Sequence, residues 1–325
     1  MGDNDHVDAA IRTEGLTKHF GDVVAVDGLD LEVPPGVVFG FLGPNGAGKT
    51  TTIRMLLDLA RPTAGRAWIL GRQVRVDGPE VRRDVGYLPS ELRVDARRTS
   101  AQLLDTWAKL YGGVDASYRD ALVARFGLDV GRAVQTLSTG NQRKLGIVAA
   151  FMHRPQVLIL DEPTLGLDPL LQREFAKLLH ETAQEGRTVF LSSHVMSEVQ
   201  QSADLIGVLR SGKLVSYGTP DELRARIVRT VEVQFDGPVE PTHFDRVEGL
   251  EGIRFRDGVM TAGLRGRPEG LVSSLAGLPV ASLLIEEPDL EDAFLHLYED
   301  DSDDSSSPGS AAGSRTATHE GVSAS

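Results

Sequence analysis

The 325-residue sequence has no cysteine. That excludes a disulfide framework and thiolate chemistry, and it suits a reducing compartment. Long apolar runs are missing too. A membrane-spanning helix needs about 18 consecutive apolar residues, whereas runs such as 157–160 have the length of buried strands. The first ten residues are acidic and lack the apolar stretch of a signal peptide, so no leader is expected. Basic charge is scarce: 34 Lys and Arg stand against 47 Asp and Glu, a net charge of −13. The segment 299–325 carries −5 of this, with six acids and one arginine. A body that remains acidic is a poor general binder of nucleic acid and of anionic lipid. Membrane contact is therefore expected to run through a protein partner. Hydrophobic residues, at 41%, are enough for ordinary cores.

Alternation of short strands and helices is what the sequence does contain. Segments 37–42, 157–160 and 188–191 are apolar and short, as buried strands are. Helical spacing follows Thr50, with Ile53, Leu56, Leu57 and Ala60 inward until Pro62 and Gly65, and it recurs over 170–184. Leu29, Leu31 and Val33 alternate with acids, which predicts a half-exposed antiparallel strand. The fold class expected is α/β: a P-loop NTPase core with an antiparallel β subdomain and a helical insertion at about 97–135. Thr219-Pro220-Asp221-Glu222 reads as a capped helix start. The core is expected over 10–228, after a disordered N-terminus at 1–9. A small α+β domain is expected over 229–299, from the alternation of Val231, Val233 and Phe235, then Ile253 and Phe255, a strand at 281–285, and a last helix bearing Leu290, Phe294 and Leu297. Segment 300–325 is Ser-rich and acidic with almost no apolar bulk, so disorder is expected.

The strongest local signal is Gly43-Pro44-Asn45-Gly46-Ala47-Gly48-Lys49-Thr50, followed by Thr51. It fits G-x-x-x-x-G-K-[ST] between a buried strand and a helix. The glycines let the backbone turn its N–H groups inward as an anion nest, and a helix starting near Gly48 points its positive end at phosphate. Lys49 is expected to reach the β- and γ-phosphates of ATP, and the Thr50 hydroxyl to ligate Mg²⁺. The run 157–160 ends in Asp161-Glu162. A carboxylate pair at a strand's carboxyl end sits where open α/β sheets bind ligands. Asp161 is assigned to Mg²⁺, and Glu162 to the water that attacks the γ-phosphate.

A P-loop and an acidic strand also fit kinases and GTPases. Leu137-Ser138-Thr139-Gly140-Asn141-Gln142-Arg143-Lys144, ahead of Asp161-Glu162-Pro163-Thr164-Leu165-Gly166-Leu167-Asp168, resembles the signature motif, Walker B and D-loop of ATP-binding-cassette (ABC) ATPases. Ser192-Ser193-His194 falls where that family carries its switch histidine. The resemblance covers about 10–225 and implies further roles. Phe20 would stack on adenine, His194 would bond the γ-phosphate, and Asp168 would join the nucleotide site. Ser138 and Gly140, before a helix expected at about 142–153, would close on the nucleotide of a second ATPase subunit. A homodimer or heterodimer is thereby implied, docked on separate membrane permease subunits at the cytoplasmic face of the membrane, with no nucleic acid expected as partner. Thr139 and Asn141 resemble the subfamily that exports drugs, antibiotics or polysaccharides.

Two features keep other readings open. Ser90, in Tyr87-Leu88-Pro89-Ser90-Glu91, stands where the family has its Q-loop glutamine, and either Ser90 or Glu91 could take that place. The segment Glu287-Pro288-Asp289-Leu290-Glu291-Asp292-Ala293-Phe294-Leu295 resembles the end of exporter-type subunits, with a packing or a regulatory role. The alternative function is a soluble ABC-type ATPase with a resistance, regulatory or nucleic-acid-related role. A chain truncated at Asp300 should keep both its thermal midpoint and its ATPase rate. A loss of several degrees in calorimetry would show that the acidic tail packs on the body.

Overall fold

A computed structural model gives the structure of the protein and describes residues 9–225 and 228–286. The chain forms two compact units, divided between residues 225 and 226. In the first, β1 (Ile11–Phe20), β2 (Val23–Val33), β4 (Ala64–Ile69) and β5 (Arg72–Gln73) make an antiparallel sheet in the order β2-β1-β4-β5. Strand β2 carries the predicted alternation: Leu29, Leu31 and Val33 are buried and the acids between them exposed.

The second sheet positions the site. Its strands are β3 (Val38–Leu42), β6 (Val85–Leu88), β7 (Val157–Asp161), β8 (Thr188–Ser193), β9 (Leu205–Arg210) and β10 (Lys213–Gly218), in the order β10-β9-β3-β8-β7-β6. All adjacent pairs run parallel except β9 with the edge strand β10. Burial on both faces explains why β3, β7 and β8 read as continuous apolar runs rather than alternating ones. Helices α1 (Lys49–Leu56), α6 (Pro169–Gln184) and α7 (Met196–Ser202) pack against these strands. A short α2 (Gly78–Arg83) precedes β6, and α8 (Pro220–Ala225) follows β10. At its start Glu222 accepts from the Thr219 N–H at 2.8 Å and Thr219 Oγ1 from the Glu222 N–H at 3.2 Å, the capping box its sequence predicts. Two further helices, α3 (Ser100–Leu110) and α4 (Ala116–Phe126), lie between β6 and α5 (Thr139–Phe151). Tyr111 stacks on His153 at 3.7 Å just beyond α5, and Arg125 of α4 bonds Glu181 of α6. Burial lowers the His153 imidazole to about 4, so at neutral pH it is an uncharged ring in an apolar contact.

Two helices begin or end elsewhere than their patterns predict. Helix α1 stops at Leu56, before Ala60, because Asp58 adopts a left-handed conformation (φ 56°). The Leu59 N–H then bonds the Arg54 carbonyl and the Asp58 N–H the Met55 carbonyl, a helix-ending pair usually built on glycine. Helix α5 starts at Thr139, three residues before the predicted Gln142, with Ser138 as its N-cap.

The second unit is one antiparallel sheet of β11 (Arg229–Phe235), β12 (Leu250–Arg256), β13 (Val259–Leu264) and β14 (Val280–Glu286), in the order β12-β13-β11-β14, with α9 (Glu269–Leu275). Val231, Val233 and Phe235 point into its core with Met260, Leu264 and Leu271. Strand β13 and helix α9 are additions to what the sequence pattern predicts. The predicted final helix and the predicted disordered ends at 1–9 and 300–325 fall, but for residue 9, outside the described residues. No described helix is long and apolar enough to cross a membrane.

Phe39, Phe41 and Phe190 form the aromatic heart of the parallel sheet, with centroids 5.4 Å (Phe39–Phe190) and 5.2 Å (Phe41–Phe190) apart. Phe190→Ala should cost about 3–5 kcal/mol, read as an earlier midpoint in chemical denaturation. An unchanged midpoint would remove this cluster from the core.

Candidate nucleotide site

The loop 43–48 leaves the carboxyl end of β3 and enters α1. It is held close to its surroundings. A Cβ on Gly43 would lie 2.2 Å from the Leu209 carbonyl oxygen, so only glycine fits there. Gly46 is left-handed (φ 83°) with open space around it. The turn at Ser211-Gly212 braces the loop: the Gly212 N–H donates to the Ala47 carbonyl, and the Asp27 N–H to the Gly212 carbonyl. Pro44, Asn45 and Gly46 face solvent, while Ala47 and Gly48 are buried. Lys49 is only 6% exposed, and its Nζ donates to the carbonyls of Gly43 (2.6 Å) and Pro44 (3.2 Å). Thr50 and Thr51 follow in the first turn of α1.

Parallel pairing brings the acidic strand end to this loop. Asp161 is wholly buried and accepts from Ser192 Oγ at 2.7 Å and from Thr50 Oγ1 at 3.1 and 3.2 Å. Hydroxyl and carboxylate oxygens are donors that suit Mg²⁺. Among the described residues no cluster of three or more His, Cys, Asp or Glu could hold a metal alone. That fits an ion which takes one or two protein oxygens and completes its shell with water and substrate phosphates.

Glu162 has φ 50°, a conformation that costs a non-glycine residue about 1–2 kcal/mol. Its N–H bonds the Ser192 carbonyl (3.1 Å) and lies 3.2 Å from Ser192 Oγ. This turn aims the carboxylate at two of the predicted residues. Oε1 lies 3.6 Å from Lys49 Nζ, and Oε2 lies 2.8 Å from His194 Nδ1. Lys49, Thr50, Asp161, Glu162 and His194, scattered through the sequence, thus form one cluster.

The remaining predicted residues stand apart from it. Phe20, 55% exposed, ends β1 beside exposed Val23 and Val24, with the Lys18 ammonium 4.9 Å from its ring centre. Ser138 caps α5, its Oγ 3.4 Å from the Asn141 N–H and 3.2 Å from the Asn141 amide nitrogen. Gly140 lies against Gly166, whose carbonyl would be 2.8 Å from an added Cβ. Asp168 caps α6 through the N–H groups of Leu170 and Leu171, both at 3.0 Å. Glu91 is exposed and pairs with Arg93 at 3.0 Å, not with the cluster.

Arg143 lies within the segment 137–144, and its sequence position alone implies no role. It is 5% exposed, and its guanidinium donates only to backbone carbonyls, those of Pro89, Ser90, Asp161, Glu162 and Pro163. Burial lowers its pKa to about 10, against the opposing pull of Asp161 and Glu162, so it keeps its charge at neutral pH. Ser192 was visible only as part of Ser192-Ser193-His194; its hydrogen bond to Asp161 has no signature in spacing.

A glycine-rich loop between a central parallel strand and a helix, facing a buried Asp-Glu pair, defines a P-loop nucleotide-binding protein. The sequence pattern of the family described as ABC transporter matches residues 26–165. The bacitracin transport ATP-binding protein of Bacillus licheniformis is 35% identical over 298 residues, covering 88% of this chain and 96% of that protein. A daunorubicin resistance ATP-binding protein of Streptomyces coeruleorubidus is 36% identical over 308 residues, 90% and 97% of the two chains. Among solved structures, the ATP-binding subunit of an ABC transporter superposes with a TM-score of 0.62 at 28% identity, over 66% of this chain and 92% of that one. The chain belongs to the ABC transporter family as an ATP-binding subunit, and it is an ATPase.

Gly43→Ala should collide with the Leu209 carbonyl and sharply reduce ATP affinity. Gly46→Ala should cost only about 1 kcal/mol of backbone strain. Equal affinities for the two variants in equilibrium binding would contradict the close approach at Gly43.

Proposed function

We propose that this chain is the ATP-hydrolysing subunit of an exporter. It would bind ATP and Mg²⁺ and drive antibiotic-like cargo through separate membrane permease subunits, from the cytoplasmic face. The observation that carries this reading is the convergence of Lys49, Asp161, Glu162 and His194 at one sheet edge. The names of the relatives, bacitracin transport and daunorubicin resistance, support the cargo class. The acidic charge of −13 supports a protein partner rather than nucleic acid.

The chemistry follows from the residues. Backbone N–H groups of 43–48, the start of α1 and Lys49 hold the triphosphate. Phe20 offers a flat apolar face for adenine, as an exposed aromatic edge can. Thr50 and Asp161 would hold Mg²⁺, which neutralises charge on the phosphates. Glu162 orients the attacking water and draws its proton. His194, bonded to the Glu162 carboxylate, keeps that carboxylate turned toward the γ-phosphate, and with ATP bound it would exchange that partner for a phosphate oxygen. Ser138 and Gly140, at the N-terminus of α5, present an anion site to the nucleotide held by a second ATPase subunit, either another copy or a related chain. Asp168, by capping α6, fixes the loop that carries Gly166 against Gly140.

Glu162→Gln keeps shape and removes the negative charge, so ATP binding should survive while turnover stops. Size-exclusion chromatography with MgATP should then show a dimer for Glu162→Gln and mostly monomer for the wild type. Adding Ser138→Arg should abolish that dimer. If Glu162→Gln hydrolysed ATP near the wild-type rate, the assignment of Glu162 would fall.

A further inference from the structure

Glu162 owes its reach to Lys49 and His194 to a backbone conformation that its own side chain disfavours. Something must hold it there. On the N–H side the holder is Ser192 of β8. On the carbonyl side it is Arg143, whose Nη2 donates to the carbonyls of Asp161 (2.8 Å) and Glu162. The same guanidinium reaches two segments, 161–163 and 89–90. Nε donates to the Pro163 carbonyl (2.9 Å), and Nη1 to those of Pro89 (2.5 Å) and Ser90 (3.2 Å). Five donors meet five carbonyls, so the fork is fully used. A charge this deeply buried is costly unless every donor is satisfied. Here it faces the partial negative charge of the carbonyls and the nearby carboxylates of Asp161 and Glu162.

We propose that Arg143 is a positioning residue for Glu162, fixing its left-handed backbone and tying it to the 89–90 loop and to helix α5. This rests on the reading of Glu162 as the residue that orients the attacking water. The geometry gives the link a direction. Arg143 lies one turn inside α5, whose N-cap is Ser138. A shift of α5 or of the Pro89-Ser90 backbone therefore pulls on the carbonyl of Glu162 without touching Lys49 or Thr50. Neither the Ser90 hydroxyl nor the Glu91 carboxylate is needed for this coupling, because Arg143 grips the main chain. ATP binding and ATP turnover should accordingly separate when Arg143 changes. Arginine is required by shape as much as by charge, since a lysine ammonium cannot span both segments and reach all five carbonyls.

The test is Arg143→Lys in the full chain, beside Glu162→Gln and a control, Val148→Ala, which opens a cavity at a wholly buried position five residues further along the same helix. Each is measured for MgATP affinity, kcat, KM and thermal midpoint. The expected result for Arg143→Lys is unchanged ATP affinity and KM with kcat lower by about tenfold to a hundredfold, the scale of a misplaced catalytic group. Val148→Ala should lower the midpoint and leave kcat alone. If Arg143→Lys does not fold, Arg143→Gln, which retains an amide donor, takes its place with the same outcomes. Wild-type kcat in a folded Arg143 variant, with Glu162→Gln inactive, would overturn the positioning role. Loss of kcat and midpoint in the same proportion in the Arg143 and Val148 variants would also overturn it, leaving a packing role only. Turnover by Glu162→Gln near the wild-type rate would instead overturn the underlying reading of Glu162.

Discussion

Strands β3, β8 and β7 run parallel and side by side, and their carboxyl ends deliver Lys49, Ser192, Asp161 and Glu162 to one edge. Every other feature of the site depends on that pairing. A triphosphate needs positive charge and backbone N–H groups on one side and an oriented water on the other. No single segment of this chain supplies both. The register Leu160–Leu191 and Asp161–Ser192 lets a strand-end serine bond the neighbouring strand's aspartate. The apolar residues behind these ends, Phe39, Phe41, Ile159 and Phe190, make the edge rigid.

Buried charge is the second constraint. Asp161 and Arg143 are both removed from water, and each is tolerated because it is hydrogen-bonded: Arg143 through all five N–H groups, Asp161 through two hydroxyls. Arg143 answers to main-chain carbonyls and Asp161 to hydroxyls. Neither depends on a single salt bridge, so the pair stabilises loop positions rather than adding much net energy. Tyr87, on β6 near Asp161, has its phenol pKa raised by burial and then by that carboxylate, so it stays neutral beside the cluster.

Much of this was legible in the sequence. The loop 43–50, the strands at 157 and 188 and the helix over 170–184 all announced themselves through spacing that burial alone explains, and Val231, Val233 and Phe235 did so in the second unit. What escaped did so for physical reasons. Strand β13 buries alternate residues, Met260, Ala262 and Leu264, but Val259 and Gly263, out of step with them, are not polar, so the alternation is weak in the sequence. Helix α1 stops at Leu56 because Asp58, just beyond it, takes a conformation that helix ends usually give to glycine. Helix α5 begins at Thr139 although its first turn contains a glycine, because Gly140 packs on Gly166, a contact made only in the folded chain.

The sequence by itself determined which chemistry is present: a lysine on a glycine-rich turn, a carboxylate pair after an apolar strand, a histidine at another strand end. Such residue types and spacings are local, and local patterns survive in a linear text. The tertiary structure alone decided the rest. It set the 2.8 Å contact that aims Glu162 with His194, the use of Ser192 as the partner of Asp161, and the burial of Arg143 against five carbonyls. Each of these joins segments distant in the chain, and its strength comes from exclusion of water, which no single segment achieves alone.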